Sequence, residues 1–363
     1  MSSKAHIETF TGVLAEICAH ALTAPERPLR WLIAANPKAG GFTIGSRWKR
    51  HTEALSRSLQ KAGRNPRRDA EPMPGAGAQG LILAGSAGAA RRTIENLLNA
   101  SVQASDPPFH LIITAGGDGT SREALHALYS APPAARSCSA ILRLPLGTGN
   151  DGADAWEVDQ ALDLLLEPGS VQYSRAVRLT AATGKGPFYA FNILSLGLDA
   201  FVTHMTNKMK GRFPGDSYKL WVDIAALLYD RLYRVGPVSV KAFDGQGNPV
   251  ASFRETLLLL AVGASGNRTY GSRKRILPDE RNVCALKQMP LFRKLALKEL
   301  FKTGTHIDKP EAVLFNASRI EVQGAYPLLA QMDGETAALQ PEDFPAVIEL
   351  TEPVIPVLAK AMP

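Results

Sequence analysis

This chain of 363 residues has few cysteines, no histidine pair with the spacing of a metal site, and no long apolar run. The three cysteines, Cys18, Cys138 and Cys284, lie far apart without a CxxC pair, which predicts a reducing compartment and no cysteine-bound metal. The seven histidines show neither HExxH nor HxH spacing, so a zinc enzyme is not expected. No apolar run reaches the ~18 residues of a membrane span, and residues 1–20 lack the pattern of a signal peptide.

Acidic residues are outnumbered by basic residues, 34 to 41, which gives a net charge of +7. Residues 46–68 contain eight Lys or Arg against Glu53 alone, and residues 273–302 contain nine against three acids. Such stretches are typical of solvated faces or of contact with an anion, such as nucleotide phosphate or an acidic membrane surface, and both interpretations stay open. Nucleic acid is not an expected partner, because neither stretch carries interleaved aromatic residues or a known binding motif.

Strand-like and helix-like segments alternate in the first part of the chain. Residues 30–41, 80–85 and 109–117 resemble strands that run into turns, and helix-like stretches such as 46–63 and 89–100 lie between them. This alternation predicts βαβ units and a doubly wound α/β domain over residues 25–156. Residues 1–24 are predicted to be an N-terminal extension, a helix weakly tied to the rest.

The pattern changes after about residue 170. Short apolar runs separated by Gly, Pro, Asn and Asp predict a β-rich, sandwich-like second domain over residues 157–339. One amphipathic helix is predicted within it, at residues 218–235.

Three glycine-rich turns follow predicted strands: NPKAGG (36–41), GGDGT (116–120) and PLGTGND (145–151). Ligands of open α/β sheets bind beyond the carboxyl ends of the strands. Glycine lets backbone N–H groups approach an anion, and helix N-termini add donors and partial positive charge. The three turns therefore predict a phosphate cradle, in which Asp118 would bind the Mg²⁺ that accompanies a polyphosphate.

Other motifs are weaker signals of a functional site. GTGNDG (147–152) matches GxGxxG, but no acidic residue ends a second strand about 20 residues further on. TGKG (183–186) lacks the spacer and the Ser/Thr of a Walker A loop, so a hairpin turn is expected there. NPKAGG and DGE (333–335), each taken alone, are typical of turns.

The full set of motifs resembles the diacylglycerol kinase catalytic-domain family, which includes lipid kinases for diacylglycerol, sphingosine and ceramide. The order is NPKAGG, ITAGGDGTSRE, RLPLGTGND, FNILSLGLDA (191–200) and MDGE (332–335), so the likeness covers roughly residues 30–358. NAD kinases and phosphofructokinases share the GGDG turn, whereas PLGTGND is typical of the lipid branch. The resemblance implies a nucleotide-binding α/β domain, a β-rich lipid-substrate domain, and a C-terminal tail, about 340–363, that returns to the first domain.

The resemblance also implies roles for individual residues. Asp118 and Asp151 would belong to the Mg²⁺–water network, and Asp333 would be the general base with Glu335 beside it. In-line phosphoryl transfer needs alignment and charge neutralisation, and a carboxylate can take the proton of a poorly acidic lipid hydroxyl. The residues that would bind ATP or shape the turns around it are Asn36, Pro37, Gly40, Gly116, Gly117, Gly119, Thr120, Gly147, Thr148 and Asn150.

Three segments depart from the family pattern. GSAGAARR (85–92) lacks the acid that the family places before the helix preceding GGDGT, which puts part of the metal network in doubt. ILPDERNVCALK (276–287) lacks the Asp-Asp-Gly turn, which puts a second, structural metal site and the usual substrate in doubt. Basic residues at 273–275 replace a glycine-rich run, and a headgroup contact and a solvated loop are equally expected there.

The sequence thus predicts an ATP-dependent, Mg²⁺-requiring lipid kinase that phosphorylates a hydroxyl of a diacylglycerol-like or sphingoid lipid. We expect a cytoplasmic enzyme of phospholipid metabolism, associated peripherally with a membrane, and a homodimer is compatible with the sequence. Two alternatives stay open. One is a non-catalytic lipid- or nucleotide-binding protein on the same fold, and the other is a kinase of a soluble substrate, as NAD kinases are.

Overall fold

The chain forms two compact units, one built from the chain up to Ser174 and from Pro353 onward, the other from Arg175–Glu352. The computed structural model describes residues 3–84, 88–101, 106–147, 150–209, 229, 233, 236–270 and 274–360. The first unit is of the α/β class and the second contains a large antiparallel sheet, so the predicted α/β plus β class is confirmed. The finer terms, a doubly wound sheet and a sandwich, stay predictions.

The first unit consists of one sheet and the helices around it. Its strands are β1 (Leu29–Ala35), β2 (Ala70–Pro72), β3 (Leu81–Leu83), β4 (Phe109–Gly116), β5 (Ser139–Pro145), β6 (Gly169–Ser174) and β20 (Ile355–Lys360). Its helices are α1 (Ser3–Cys18), α2 (Gly40–Thr43), α3 (Gly45–Ala62), α4 (Ala89–Ser101), α5 (Asp118–Ser130), α6 (Pro133–Ser137) and α7 (Val158–Leu166).

The strand order of this sheet is β2-β1-β4-β5-β20-β6, and β3 also pairs with β1. Strand β1 pairs in parallel with β2, β3 and β4, and β4 pairs in parallel with β5. The chain therefore adds strands first on one side of β1 and then on the other, so the order reverses between β1 and β4. Every residue of β4 is buried, as expected for a continuous apolar strand within a parallel sheet.

Helix α1 is an integral part of the first unit. Its apolar positions recur every three or four residues, and Ile7, Phe10, Leu14 and Ile17 are buried in the same core cluster as Trp31. The expectation of a weakly tied extension over residues 1–24 is therefore corrected, because this helix supplies core side chains.

The unit boundaries also lie later in the chain than the limits 156/157 and 339/340 predicted from the sequence. Helix α7 packs Leu162 and Leu165 into the first core, and β6 pairs with β20. The strand Ala346–Leu350 pairs instead with strands of the second unit. The C-terminal strand β20 pairs in parallel with β5 and antiparallel with β6, so the end of the chain belongs to the first sheet.

The second unit is dominated by a sheet with the order β18-β17-β9-β11-β10-β16-β19-β7-β8, to which β14 and β15 are added through β11. Among the described residues of this unit, the helices are α8 (Leu198–Met209) and α9 (Leu291–Thr303). Its strands are β7 (Val177–Thr180), β8 (Phe188–Ala190), β9 (Ile193–Gly197), β10 (Pro237–Phe243), β11 (Pro249–Gly263), β12 (Arg268–Tyr270), β13 (Lys274–Leu277), β14 (Val283–Lys287), β15 (Ala312–Phe315), β16 (Arg319–Gly324), β17 (Leu328–Met332), β18 (Glu335–Leu339) and β19 (Ala346–Leu350).

Two further predictions concern the second unit. TGKG (183–186) lies in the hairpin between β7 and β8, which confirms the hairpin turn. The predicted helix 218–235 lies outside the described residues except for Tyr229 and Tyr233. Within the part of the chain that the structure describes, no helix has the length and apolar character needed to cross a bilayer.

Candidate functional site

The turns after β1, β4 and β5 lie against one another at the carboxyl edge of the parallel strands. The N–H of Asn36 donates to the carbonyl of Ala115 at 3.0 Å, and the N–H of Gly41 donates to the carbonyl of Leu146 at 2.9 Å. These two bonds join the first turn to the end of β4 and to the turn after β5. The structure therefore brings together the three glycine-rich segments that the sequence singles out.

Asn36 shapes the first of these turns. Its side-chain Oδ1 accepts the N–H of Lys38 at 2.9 Å, and its carbonyl accepts the N–H of Ala39 at 2.9 Å. This is an Asx turn, and Pro37 lies inside it. Helix α2 begins directly afterwards, at Gly40.

The second turn links β4 to helix α5. Gly117 is the extended N-cap of the helix, and its carbonyl accepts the N–H of Thr120 at 3.0 Å. A Cβ atom on Gly116 would overlap the side chain of Thr120, whereas a Cβ atom on Gly119 would have no neighbour within 4 Å. The helix N-terminus therefore has open space beside Gly119, where an anion could reach backbone N–H groups.

The third turn approaches the second so closely that a Cβ atom on Gly147 would overlap the Cα atom of Gly117. Asn150 closes this turn with φ 60°, a conformation that Asn tolerates better than most residues. Its Oδ1 accepts the N–H of Gly147 at 2.6 Å, and its Nδ2 donates to the carbonyl of Pro145 at 3.2 Å. Thr148 lies outside the described residues.

Asp118 connects the second turn to the third. It is the first residue of α5 and is half-buried, and its Oδ1 accepts the N–H of Gly152 at 3.0 Å. Asp151, also half-buried, directly precedes Gly152 in the chain. The two carboxylates predicted for the metal network therefore lie on segments that are hydrogen-bonded to each other.

One basic residue from α3 reaches these turns. Arg47 Nη1 donates to the carbonyl of Gly147 at 3.3 Å. Two further basic residues of α3 pair with acids of α7, Arg57 with Asp159 at 2.7 Å and Lys61 with Asp163 at 2.8 Å. The basic stretch thus contains residues that pair with acids and one residue, Arg47, that contacts the glycine-rich turns.

The sequence reasoning missed an ion pair that holds the third turn. Arg143 donates from its Nε at 3.0 Å and from its Nη2 at 2.6 Å to Asp154 Oδ1, and its backbone N–H donates to Asp154 Oδ2 at 2.6 Å. The side chains are only 11% and 7% exposed, so the charges are compensated within the protein. The available signal was a single arginine within the apolar strand SAILRLP.

The residues predicted for the second domain, Asp333 and Glu335, belong to the second unit, at the tight turn between β17 and β18. Asp333 and Gly334 both have positive φ, 48° and 96°, as in the two-residue turns that join hairpins. The carboxylate of Asp333 accepts the backbone N–H groups of Asn192 at 3.1 Å and Ile193 at 3.0 Å, and also that of Phe191. The start of FNILSLGLDA therefore anchors this carboxylate.

A buried polar network that the sequence reasoning missed supports the same turn. Gln331 Oε1 accepts the N–H of Gly334 at 3.1 Å, and Gln331 Nε2 donates to Asp199 Oδ2 at 3.1 Å. Ser195 Oγ donates to the same carboxylate oxygen at 2.7 Å. Gln331 and Ser195 are fully buried, so each link replaces hydrogen bonds to water. Glu335, in contrast, is exposed.

The predicted Mg²⁺ site can be compared with the side chains that could bind a metal ion. Within the described ranges, no group of three or more His, Cys, Asp or Glu side chains could hold a metal ion. Mg²⁺ at nucleotide sites is commonly bound by one or two carboxylates together with phosphate and water, and Asp118 and Asp151 provide two carboxylates on neighbouring segments. In the segment that lacks the Asp-Asp-Gly turn, Asp279 accepts hydrogen bonds from Arg281, which hold the pKa of Asp279 below its ordinary value.

Part of the chain resembles known proteins in sequence. Residues 30–180 match the sequence profile described as the diacylglycerol kinase catalytic domain. A protein of Enterobacter sp. (strain 638) named "Probable lipid kinase YegS-like" is 27% identical over 229 residues, which are 62% of this chain and 71% of that protein. A protein of the same name from Yersinia pestis (strain Pestoides F) is 33% identical over 196 residues, which are 52% of this chain and only 58% of that protein.

Two solved structures from Bacillus anthracis str. Sterne share the fold. One has a TM-score of 0.56 at 17% identity and covers 91% of this chain and 97% of that chain. The other, named a diacylglycerol kinase, has a TM-score of 0.51 at 15% identity, with 92% and 97% covered. The match over residues 30–180 confirms the resemblance to the diacylglycerol kinase catalytic-domain family that the sequence motifs indicate.

Proposed function

We propose that the protein is an ATP-dependent lipid kinase that transfers the γ-phosphate of ATP to a hydroxyl of a diacylglycerol-like or sphingoid lipid. The observation that carries the proposal is the meeting of the turns after β1, β4 and β5, with Asp118 bonded to Gly152 between two of them. The likeness of residues 30–180 to a kinase catalytic domain supports phosphoryl transfer as the reaction.

The glycine-rich turns would hold the triphosphate. Ligands of open α/β sheets bind where the strand order reverses, which here is between β1 and β4. The N-terminus of α5 offers N–H donors beside Gly119, and Arg47 adds a positive charge next to Gly147. The predicted contacts are Asn36, Pro37, Gly40, Gly116, Gly117, Gly119, Thr120, Gly147, Thr148 and Asn150.

Mg²⁺ bound with the nucleotide would supply charge neutralisation for the transferred phosphoryl group. Asp118 and Asp151 would hold it, because both carboxylates lie on the hydrogen-bonded segments beside the turns. The bond from Gly152 to Asp118 fixes the direction of one of these carboxylates before any ligand arrives.

Asp333 would orient the lipid hydroxyl and take its proton, with Glu335 beside it. The amides of the β8–β9 turn hold the Asp333 carboxylate in one orientation, and Gln331 holds the hairpin turn that carries it. A base of fixed orientation suits a reaction in which positioning contributes most of the catalysis.

A lipid substrate implies work at a membrane surface, and we propose a cytoplasmic protein with peripheral membrane association. A homodimer stays an expectation. A non-catalytic binding protein is less well supported, because Asp118, Asp151 and Asp333 are all retained. A kinase of a soluble substrate would be the better proposal if transfer proceeded without micelles or vesicles.

The test is a panel of lipids with free hydroxyl groups, incubated with ATP and Mg²⁺ and analysed by mass spectrometry. We expect a phosphorylated product from one lipid class, formed roughly 10²–10³-fold more slowly by Asp118→Asn. ATP binding without any product across the panel would contradict the kinase proposal and favour the non-catalytic binding protein.

A further inference from the structure

Helix α9 carries a concentrated apolar surface. Leu291, Phe292 and Leu295 are 50%, 69% and 59% exposed, and Phe292 is the most exposed large apolar side chain of the described residues. Positions three and four residues apart share one helix face, so the three side chains lie together on the first turns of the helix. We call them the α9 patch.

The other side of the helix is already packed. Leu297 and Phe301 are buried in a core cluster of the second unit, and the ring of Phe301 lies 4.6 Å from that of His306. The helix ends at Gly304 in the left-handed conformation, φ 83°. The α9 patch is therefore not needed to hold the helix in place. Single exposed apolar residues are ordinary, but three neighbours on one helical face indicate a contact surface.

The helix that carries the α9 patch has a net positive charge. Within α9, four basic residues stand against Glu299 alone, a balance of +3. Glu311 pairs with Arg293, Glu299 pairs with Lys302, and Lys294 is buried. Beyond the helix end, Arg275 is exposed on β13, and its Cβ atom would lie 3.7 Å from a Cβ atom on Gly304. The basic residues of the helix and of β13 are Lys274, Arg275, Arg293, Lys294, Lys298 and Lys302.

We propose that the α9 patch docks on the surface of an anionic phospholipid bilayer. The three apolar side chains enter the boundary between headgroups and acyl chains, while exposed cationic groups such as Arg275 contact lipid phosphates. The inference rests on the proposed lipid kinase function, since an enzyme that acts on a bilayer lipid must reach that bilayer.

Charge complementarity selects this partner. A second copy of the chain could cover the same apolar side chains, but it would bring the same positive charge to the interface, which disfavours the contact. An anionic bilayer matches both the apolar patch and the net positive charge of α9 and β13. Binding should accordingly weaken as the salt concentration rises.

The experiment measures co-sedimentation of the full chain with vesicles, without ATP. The vesicles contain phosphatidylcholine alone or phosphatidylcholine with phosphatidylglycerol. We expect wild-type protein to bind the mixed vesicles and the double variant Phe292→Glu, Leu295→Glu to bind them at least about tenfold more weakly. Val250→Glu is the matched control, because Val250 is an exposed apolar residue of β11 in the same unit. Arg275→Gln should weaken binding to the mixed vesicles only.

Unchanged vesicle binding by a folded double variant would overturn the proposal. So would a wild-type dimer that the double variant converts to a monomer without any change in vesicle binding, because the patch would then contact a second copy. Transfer to a short-chain lipid dispersed without vesicles separates the two proposals. Vesicle binding without transfer to any lipid would refute the kinase function alone, and transfer without patch-dependent binding would refute the docking surface alone.

Discussion

The carboxylate of Asp118 accepts the backbone N–H of Gly152 at 3.0 Å, although the two residues are 34 positions apart. This bond connects the N-terminus of α5 with the turn after β5, and the close contact of Gly117 with Gly147 lies beside it. The account of function depends on this arrangement, in which glycine-rich backbone and carboxylates share one edge of a sheet.

Asp118→Asn should abolish most phosphoryl transfer while the fold persists. An amide oxygen can still accept the N–H of Gly152 but carries no charge for a cation, so we expect the transfer rate to fall by roughly 10²–10³-fold. Transfer of labelled γ-phosphate and the melting temperature are measured together. Asp106→Asn, an exposed carboxylate outside the turns, is the control. A rate near that of wild type in Asp118→Asn would remove this carboxylate from the mechanism.

Gly147→Ala should lower stability, whereas Gly119→Ala should lower nucleotide affinity. The added methyl group at Gly147 overlaps Gly117, whereas the one at Gly119 meets no atom within 4 Å. We therefore expect Gly147→Ala to lower the free energy of unfolding by about 1–3 kcal/mol. Gly119→Ala should keep its stability but lose nucleotide affinity, because its methyl group occupies the proposed phosphate space. Calorimetric unfolding and nucleotide titration distinguish the two. Full affinity in Gly119→Ala would place the phosphates elsewhere.

Asp333→Asn should reduce both transfer and stability. The carboxylate uses Oδ1 for the amides of Asn192 and Ile193 and Oδ2 for that of Phe191. An amide group offers only one acceptor oxygen, so an unfolding free-energy loss of about 1–3 kcal/mol is expected. Urea unfolding and the transfer rate are measured on the same preparation. Glu335→Gln, at an exposed residue of the same turn, should leave stability unchanged. An active Asp333→Asn variant would leave Asp333 with a structural role alone.

Acid should destabilise the protein through buried histidines. Burial, with a contribution from Arg30, lowers the pKa of His110 to about 4, and burial with Arg50 and Arg47 does the same for His51. In the unfolded chain, each of these histidines has a pKa of about 6.5. The unfolded state therefore binds more protons between about pH 6.5 and 4, and stability falls as the pH falls through this window, by about 2 kcal/mol per histidine at pH 5.

The variant His110→Leu tests this pH dependence. Urea unfolding at pH 7.5 and pH 5 should show a drop in stability that is about 2 kcal/mol smaller than in wild type. Neither ring nitrogen of His110 has a hydrogen-bond partner among the described residues, so the variant removes no bond. An identical drop in both proteins would mean that His110 does not contribute.

The docking of α1 can be tested through Cys18. Burial raises the pKa of the Cys18 thiol to about 12, so a thiol reagent should modify it only after unfolding. Phe10→Ala should lower the free energy of unfolding by about 3–5 kcal/mol, because Phe10 is fully buried in the core. Rapid modification of Cys18 in the folded protein would indicate that α1 detaches.

The local features were predictable from the sequence, and the long-range features were not. The glycine-rich turns and the apolar strands β1 and β4 follow from residue types over a few positions. The docking of α1 depends on partners such as Trp31 that no local pattern identifies. The pair of Arg143 and Asp154 was missed because its partners lie 11 positions apart across a turn. The boundary at Ser174 depends on the pairing of β6 with β20, which comes much later in the chain.

The most direct measurement is transfer of the labelled γ-phosphate of ATP to a lipid hydroxyl, in the presence of Mg²⁺, by wild type and Asp118→Asn in parallel. We predict labelled phospholipid from wild type and a loss of roughly 10²–10³-fold in the variant at unchanged melting temperature. Equal transfer by both proteins, or transfer to a soluble acceptor only, would contradict the proposal that this protein is a lipid kinase whose nucleotide lies at the turns joined by Asp118.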